Sequence, residues 1–138
     1  MADKLRLRVV TPTRLALDEE VDEVTASGPL GEFTVLPNHI SFLTLLLVGV
    51  LSYKQGTERH SIAIGGGYAE VLQNVVTVLA NTAEFADEID VPRAQRAKEL
   101  AEHRMVGLGV DDEQFVAAEA ALRRALVRLQ VAGTETRR

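Results

Sequence analysis

Histidines and carboxylates are the residues of this 138-residue sequence that could most directly do chemistry. Glu32 lies seven residues before His39, so the two could in principle act as an acid–base pair or share a metal ion. A metal site needs further ligands, and the other histidines, His60 and His103, lie on unrelated segments. A hydrolase built on His39 with Ser41 or a carboxylate lacks a convincing nucleophile, base and orienting residue together. We therefore interpret His39 as a loop histidine.

Two other patterns could hold phosphate groups. The segment Gly65-Gly66-Gly67 is followed by strand-like residues, whereas a phosphate-binding loop needs a lysine and a following helix. We interpret it as a glycine turn that lets two strands approach closely. Arg124 and Arg128 are four residues apart, which places both guanidinium groups on one face of a helix.

The elements that must position these residues change character at residues 87–92. Before this segment apolar residues alternate with polar ones, and after it they recur every three to four positions, which marks a change from strands to helices. Asp90 followed by Pro92 is a typical helix start. We predict a β body at residues 1–86, a hinge at 87–92 and a helical arm at 93–138, and we keep these three names below.

The body is predicted to contain eight to ten short strands. Examples are 42–47 and 50–54, separated by Gly49, and 61–64 and 68–72, separated by the three glycines. No helix-length periodic segment lies between strands, which argues against crossover helices, and the pattern indicates an antiparallel sandwich or barrel.

The arm is predicted to be two helices. The first ends near Met105, and the second begins at Asp111, where Gln114 completes a capping box. Their apolar faces are rich in alanine, and at about 25 cal/mol per Å² of buried apolar surface such a hairpin barely offsets its own ordering entropy. The arm must therefore rest on the body, a partner or a ligand, which suits a switch. The predicted apolar stripe of the first helix consists of Ala94, Ala97, Leu100 and Ala101.

Charge and composition exclude several classes of function. The net charge is −5, but residues 1–90 carry −7 and residues 91–138 carry +2, and an acidic body argues against a nucleic-acid partner. The absence of cysteine excludes a disulfide framework and a thiolate metal site. The longest apolar run, residues 43–51, is too short to span a bilayer, so any membrane contact is expected to come through a partner.

Six ordered stretches resemble one family, the epsilon subunit of the bacterial F-type ATP synthase. The resemblance runs nearly from end to end, and the stretches agree with the family in order and spacing. They are residues 9–12, 31–39, 65–71, 74–80, 89–94 and 122–126.

The resemblance implies an α+β, mainly β fold: an N-terminal antiparallel ten-stranded β-sandwich followed by a C-terminal two-helix antiparallel hairpin. It implies a non-catalytic rotor subunit that binds the gamma subunit, rests on the c ring and takes part in proton-driven ATP synthesis. The folded arm would permit turnover, and the extended arm would reach the catalytic alpha and beta subunits and block ATP hydrolysis. The subunit would lie peripherally at the cytoplasmic face of the inner (plasma) membrane, held there by the complex.

The resemblance also assigns contact residues. Glu32 and His39 correspond to positions that face the c ring. Arg123, Arg124 and Arg128 correspond to positions that face acidic loops of the catalytic beta subunits when the arm is extended, although a plain solvated helix face remains the alternative for these arginines.

Some members of the family bind ATP as a regulatory ligand, and the resemblance implies no required cofactor for this chain. Guanidinium groups from both helices could surround a triphosphate and clamp the folded arm. Capping by Asp90 and solvation of the arginines is the competing interpretation. A free-standing ATP-sensing switch, with the nucleotide bound by the hairpin, is the alternative function. The implied ATP contacts are Glu84, Asp90, Arg93, Ala94, Arg124 and Arg128.

Overall fold

Alternating apolar residues form eight strands in the computed structural model, which describes residues 3–135. In each strand one set of alternate side chains enters the core, as Leu5, Leu7 and Val9 do in the first. The strands are β1 (Leu5–Val10), β2 (Leu15–Val21), β3 (Glu23–Gly28), β4 (Gly31–Val35), β5 (Phe42–Gln55), β6 (Glu58–Leu72), β7 (Val75–Ala80) and β8 (Ala83–Phe85).

The strands hydrogen-bond in the order β2-β1-β7-β6-β5-β3-β4, and β8 pairs with β6. All neighbours are antiparallel except β1 and β7, which are parallel. The predicted antiparallel sandwich is confirmed, with this one parallel pair as an exception. Strands so far apart in sequence need no tight turn between them, which removes the usual constraint that favours antiparallel neighbours.

The count of eight rather than ten strands has a simple cause. The predicted breaks at Gly49 and at Gly65–Gly67 lie inside β5 and β6, which continue through them and pass from one layer of the sandwich to the other. Gly67 has φ of 143°, and a Cβ there would lie 2.0 Å from the carbonyl oxygen of Leu79. The glycines do allow a close approach of two strands, but within a bent strand and not in a turn.

The hinge and the arm contain a short 3₁₀ turn and two helices: Ala86–Glu88, α1 (Val91–Met105) and α2 (Glu113–Glu135). The Asp90 carboxylate accepts a hydrogen bond from the backbone N–H of Arg93 at 3.1 Å, so it caps α1. At the start of α2, Asp112 accepts from the backbone N–H of Gln114 at 2.8 Å. The capping residue is therefore one position later than the predicted Asp111.

The two helices pack on each other through alanines, as expected. The buried residues of this contact are Ala94, Ala101, Ala118 and Ala125. Leu100 was placed in the apolar stripe but is 50% exposed.

Neither helix, over the residues that the structure describes, combines the length and the apolar character needed to cross a bilayer.

Candidate functional site

The arm meets the body through a small apolar cluster at the end of α2. Val131 is fully buried there and Ala132 nearly so, against Ala63 of β6 and Ile89 of the hinge. This cluster is separate from the sandwich core, and it consists of alanines, valines and one isoleucine. Partly buried side chains at its margin are Val50, Ala86 and Val127. The area buried is correspondingly modest, so the docked arm has little apolar stabilisation.

One ion pair reinforces this contact, and we call it the latch. The Arg128 Nε of α2 donates to the Glu84 Oε1 of β8 at 2.6 Å. The two side chains are 34% and 31% exposed, so the pair is partly shielded from water. A charge-assisted hydrogen bond in such a setting contributes more than a fully exposed pair does. The latch and the apolar cluster both join α2 to the body.

A second ion pair lies at the root of the hinge. Arg14 donates from Nη1 to Glu88 Oε2 at 2.7 Å and from Nη2 to Glu88 Oε1 at 2.8 Å. Hydrogen bonding from the Arg14 guanidinium, with a contribution from the backbone N–H of Phe85, lowers the pKa of the Glu88 carboxyl. This pair connects the beginning of β2 with the 3₁₀ turn.

The residues assigned to ATP are only partly brought together. Glu84, Arg124 and Arg128 line one cavity of about 10 Å³, which has room for about one water molecule. Asp90 is engaged as a helix cap and Ala94 is buried between the helices. A triphosphate does not fit in this cavity, and Arg128 could contact a phosphate there only by leaving Glu84. ATP binding by these residues stays a prediction.

The Arg93 side chain is exposed and, like those of Arg123 and Arg124, it makes no hydrogen bond or ion pair with any residue between 3 and 135. These guanidinium groups carry their full charge into solvent. They could meet an acidic surface or a phosphate without breaking an internal contact. Their assignment to the catalytic subunits is not decided by the isolated chain.

The His39 loop offers contact groups and no assembled acid–base site in the described part of the chain. His39 Nδ1 lies 2.8 Å from the Ile40 carbonyl oxygen, and its ring packs edge-on against Phe42 at 5.9 Å. Glu32 is exposed on β4. Residues 3–135 contain no group of three histidines or carboxylates that could hold a metal ion. The assignment of Glu32 and His39 to the c ring stays a prediction.

A surface that sequence reasoning missed lies on the outer side of β5, β6 and β7, and we call it the sheet face. Leu45, Tyr68 and Leu79 are directly opposite one another across these strands and are about half exposed, and Leu43 beside them is 70% exposed. A solvent-facing position in a strand is usually polar, so a row of large apolar residues indicates a covered surface. The signal in the sequence was the run of leucines at positions 43–47, where both alternating phases are mostly apolar.

Comparison with known proteins assigns the two parts of the chain to one family. Residues 4–86 match the family model described as the ATP synthase delta/epsilon chain β-sandwich domain, and residues 87–133 match that of its long α-helix domain. The chain is 52% identical to the ATP synthase epsilon chains of Geobacter metallireducens and Citrifermentans bemidjiense, over the whole length of each protein. It also superposes on a chain of the Euglena gracilis mitochondrial ATP synthase with a TM-score of 0.79 and 26% identity. That match covers 94% of this chain and 81% of the other.

Proposed function

The chain belongs to the family of ATP synthase epsilon chains, and from that premise we propose that it couples gamma to the c ring and that its arm inhibits ATP hydrolysis. It is an epsilon subunit, a part of the F1 central stalk. The observation that carries the regulatory proposal is the weak junction between arm and body. An element held by a few small side chains and one ion pair can exchange one resting place for another.

The sheet face supports a stalk partner on the body. The arm packs on Val50 and Ala63, in the half of the β5–β6 hairpin away from Tyr68, so the arm of this chain leaves the sheet face uncovered. Large apolar side chains in register across three strands form the centre of a typical protein–protein contact. Gamma is the partner that the family supplies, and we assign it to this face.

Co-purification tests the assignment. The double variant Leu45→Asp, Tyr68→Asp puts two charges into the proposed contact and should abolish co-purification with gamma. Both positions are solvent-exposed in the isolated chain, so its unfolding midpoint should change little. Leu100→Asp, at a similarly exposed position on α1, is the matched control and should leave binding intact. Retention of gamma by the double variant would show that gamma binds elsewhere.

Contact with the c ring would come from the loop that carries His39. Leu36 and Ile40 on either side of it are 52% and 78% exposed, which is unusual for a loop that faces only water. In this proposal the subunit has no catalytic site of its own. Its contact with the c ring holds it at the cytoplasmic face of the membrane. Substitution of Ile40 by Asp should weaken association with purified c ring and leave gamma binding unchanged. Equal loss of both partners would argue against two separate contacts.

The inhibitory posture would use the arginines of α2. In the extended arm Arg123 and Arg124 would meet acidic loops of the catalytic beta subunits, and neither has an internal partner among residues 3–135 to give up. Removing them should weaken inhibition, and more so as the salt concentration falls. The variant Arg123→Ala, Arg124→Ala keeps the latch intact and is therefore cleaner than a change at Arg128.

The matched control for this test removes two exposed arginines of α1. Arg96→Ala, Arg104→Ala lowers the charge of the arm equally. Inhibition is measured as ATP hydrolysis by the reconstituted complex over a range of salt concentrations. If the α2 variant inhibits as well as the parent, or if both variants lose inhibition equally, specific pairing between α2 and the head is excluded.

The alternative function, a free-standing ATP sensor, is supported by a larger cavity of about 360 Å³ beside the junction, which Arg14, Glu84 and Arg128 line. A nucleotide bound there would stabilise the docked arm by mass action. Titration of the isolated protein with ATP tests it directly. Absence of both heat and any change in arm protection up to millimolar ATP would exclude this function without affecting the stalk assignment.

A further inference from the structure

The Glu88 carboxylate accepts three hydrogen bonds, two from Arg14 and one from Phe85, and we call this set of contacts the clasp. Arg14 binds both of its oxygens, as described above, and the backbone N–H of Phe85 donates to Oε1 at 3.0 Å. Arg14 also donates from Nη2 to the carbonyl oxygen of Ala83 at 3.0 Å. A fork-to-fork pair with extra backbone bonds fixes geometry far better than a single contact does.

Every group of the clasp belongs to the body or to the 3₁₀ turn. Arg14 immediately precedes β2, Ala83 and Phe85 lie in β8, and none of the clasp bonds reaches α1 or α2. Breaking the latch or the apolar cluster would therefore remove no clasp bond. When the arm departs, the 3₁₀ turn loses the packing of Ala86 against the cluster but keeps its clasp bonds.

The next two residues, Ile89 and Asp90, make their contacts with the arm. Ile89 is 8% exposed because Val131 and Ala132 of α2 cover it, so its surroundings depend on the docked arm. Asp90 is bound to α1 as its cap. The chain thus passes from groups held by the body to groups held by the arm within two residues.

We propose that the arm pivots at Ile89–Asp90 and that the clasp keeps residues 86–88 with the body in both postures. The inference rests on the two postures of the proposed function and narrows the predicted hinge of 87–92 to these two residues. Arg14 and Glu88 are then positioning residues for the arm. A short pivot leaves the undocked arm little freedom, which favours return to the docked posture.

Hydrogen exchange in the full chain tests the pivot. The reporters are the amides of Phe85 and Ile89, whose acceptors are Glu88 Oε1 and the carbonyl oxygen of Ala86. Arg14→Gln breaks the clasp and should speed exchange at both amides by about five-fold, the upper range for a partly exposed pair. The matched control Arg6→Gln removes the Arg6–Asp18 pair, whose N–O distance is 2.6 Å, and should leave both reporters unchanged.

A third variant releases the arm without touching the clasp. Val131→Asp puts a carboxylate at a fully buried position of the apolar cluster and should speed exchange at the end of α2 by more than ten-fold. The pivot predicts that the Phe85 amide stays within two-fold of the parent, whereas Ile89, which α2 covers in the docked arm, is not used as a reporter in this variant. Loss of Phe85 protection together with that of α2 would overturn the proposal, as would unchanged exchange in Arg14→Gln. If exchange at the end of α2 stays unchanged in Val131→Asp, the arm does not undock, and the pivot is refuted together with the proposed two postures. The Arg14→Gln result would then test only whether the clasp orders residues 86–88.

Discussion

Removing the latch should shift the arm from the docked to the undocked posture by a predictable amount. Two unit charges about 4 Å apart attract by roughly 4 kcal/mol at an effective dielectric constant of about 20. Arg128 and Glu84 are 34% and 31% exposed, so loss of hydration and of side-chain freedom offsets most of this attraction. A net contribution of about 1 kcal/mol remains, which corresponds to a roughly five-fold change in the ratio of docked to undocked molecules.

A double-mutant cycle isolates this term. Glu84→Gln and Arg128→Gln should each lower the docked fraction, and the double variant should lower it by less than the sum of the two. The sequence contains no cysteine, so two cysteines introduced at exposed Thr57 and Glu119 can carry spin labels that report the distance between body and arm. The population of the longer distance gives the equilibrium directly.

The Lys98–Glu102 pair within α1 provides the matched control. Its N–O distance is 3.5 Å and it links one turn of a helix to the next, so its removal should leave arm posture unchanged. A coupling energy between Glu84 and Arg128 of zero within error would refute the reasoning. So would an equal shift in posture when the α1 pair is removed.

Three further outcomes are expected. Gly67→Ala should lower the free energy of unfolding in urea by about 2–4 kcal/mol, because the new Cβ would collide with the backbone of Leu79. The control Gly133→Ala places its Cβ in open space within α2 and should not lower the free energy of unfolding. Because the pKa of Glu88 is depressed below its ordinary 4.5, the clasp contributes fully above pH 4.5 and its contribution is lost as pH falls through the lower, folded value. NMR titration of the Glu88 carboxyl should show a lowered pKa in the parent and a higher one in Arg14→Gln, where only the Phe85 N–H still lowers it. Asp90→Ala should destabilise the first turn of α1 by about 1 kcal/mol in helix-amide exchange, with or without ATP, since the cap is a local contact; a loss that appears only with ATP would contradict the capping role.

The periodicity of the sequence was sufficient to predict the class of fold and the position of the helices. The change of period at residues 87–92 is followed by α1 from Val91, and of the three α1 alanines predicted to line the hairpin, Ala94 and Ala101 are buried and Ala97 is partly buried. Strand count was harder to predict, because glycine ends some strands and bends others. Gly49 and Gly65–Gly67 lie inside strands that the local sequence would have divided.

Contacts between distant residues could not be read from local patterns. The latch joins residues 44 positions apart and the clasp joins residues 74 positions apart, so neither has a sequence signature. The resemblance selected Glu84 and Arg128 as ATP contacts, whereas in the docked arm they bind each other. The sheet face was not predicted either, because the exposure of Leu45 and Tyr68 can be inferred only when the strand register is known.

The most direct test of the central claim is ATP hydrolysis by the ATP synthase complex before and after deletion of residues 91–138. The body has a core of its own, so the shortened subunit should still assemble with gamma and the c ring. A regulatory arm predicts that hydrolysis rises in the shortened complex while its subunit composition stays the same. An unchanged hydrolysis rate in a fully assembled complex would contradict the account.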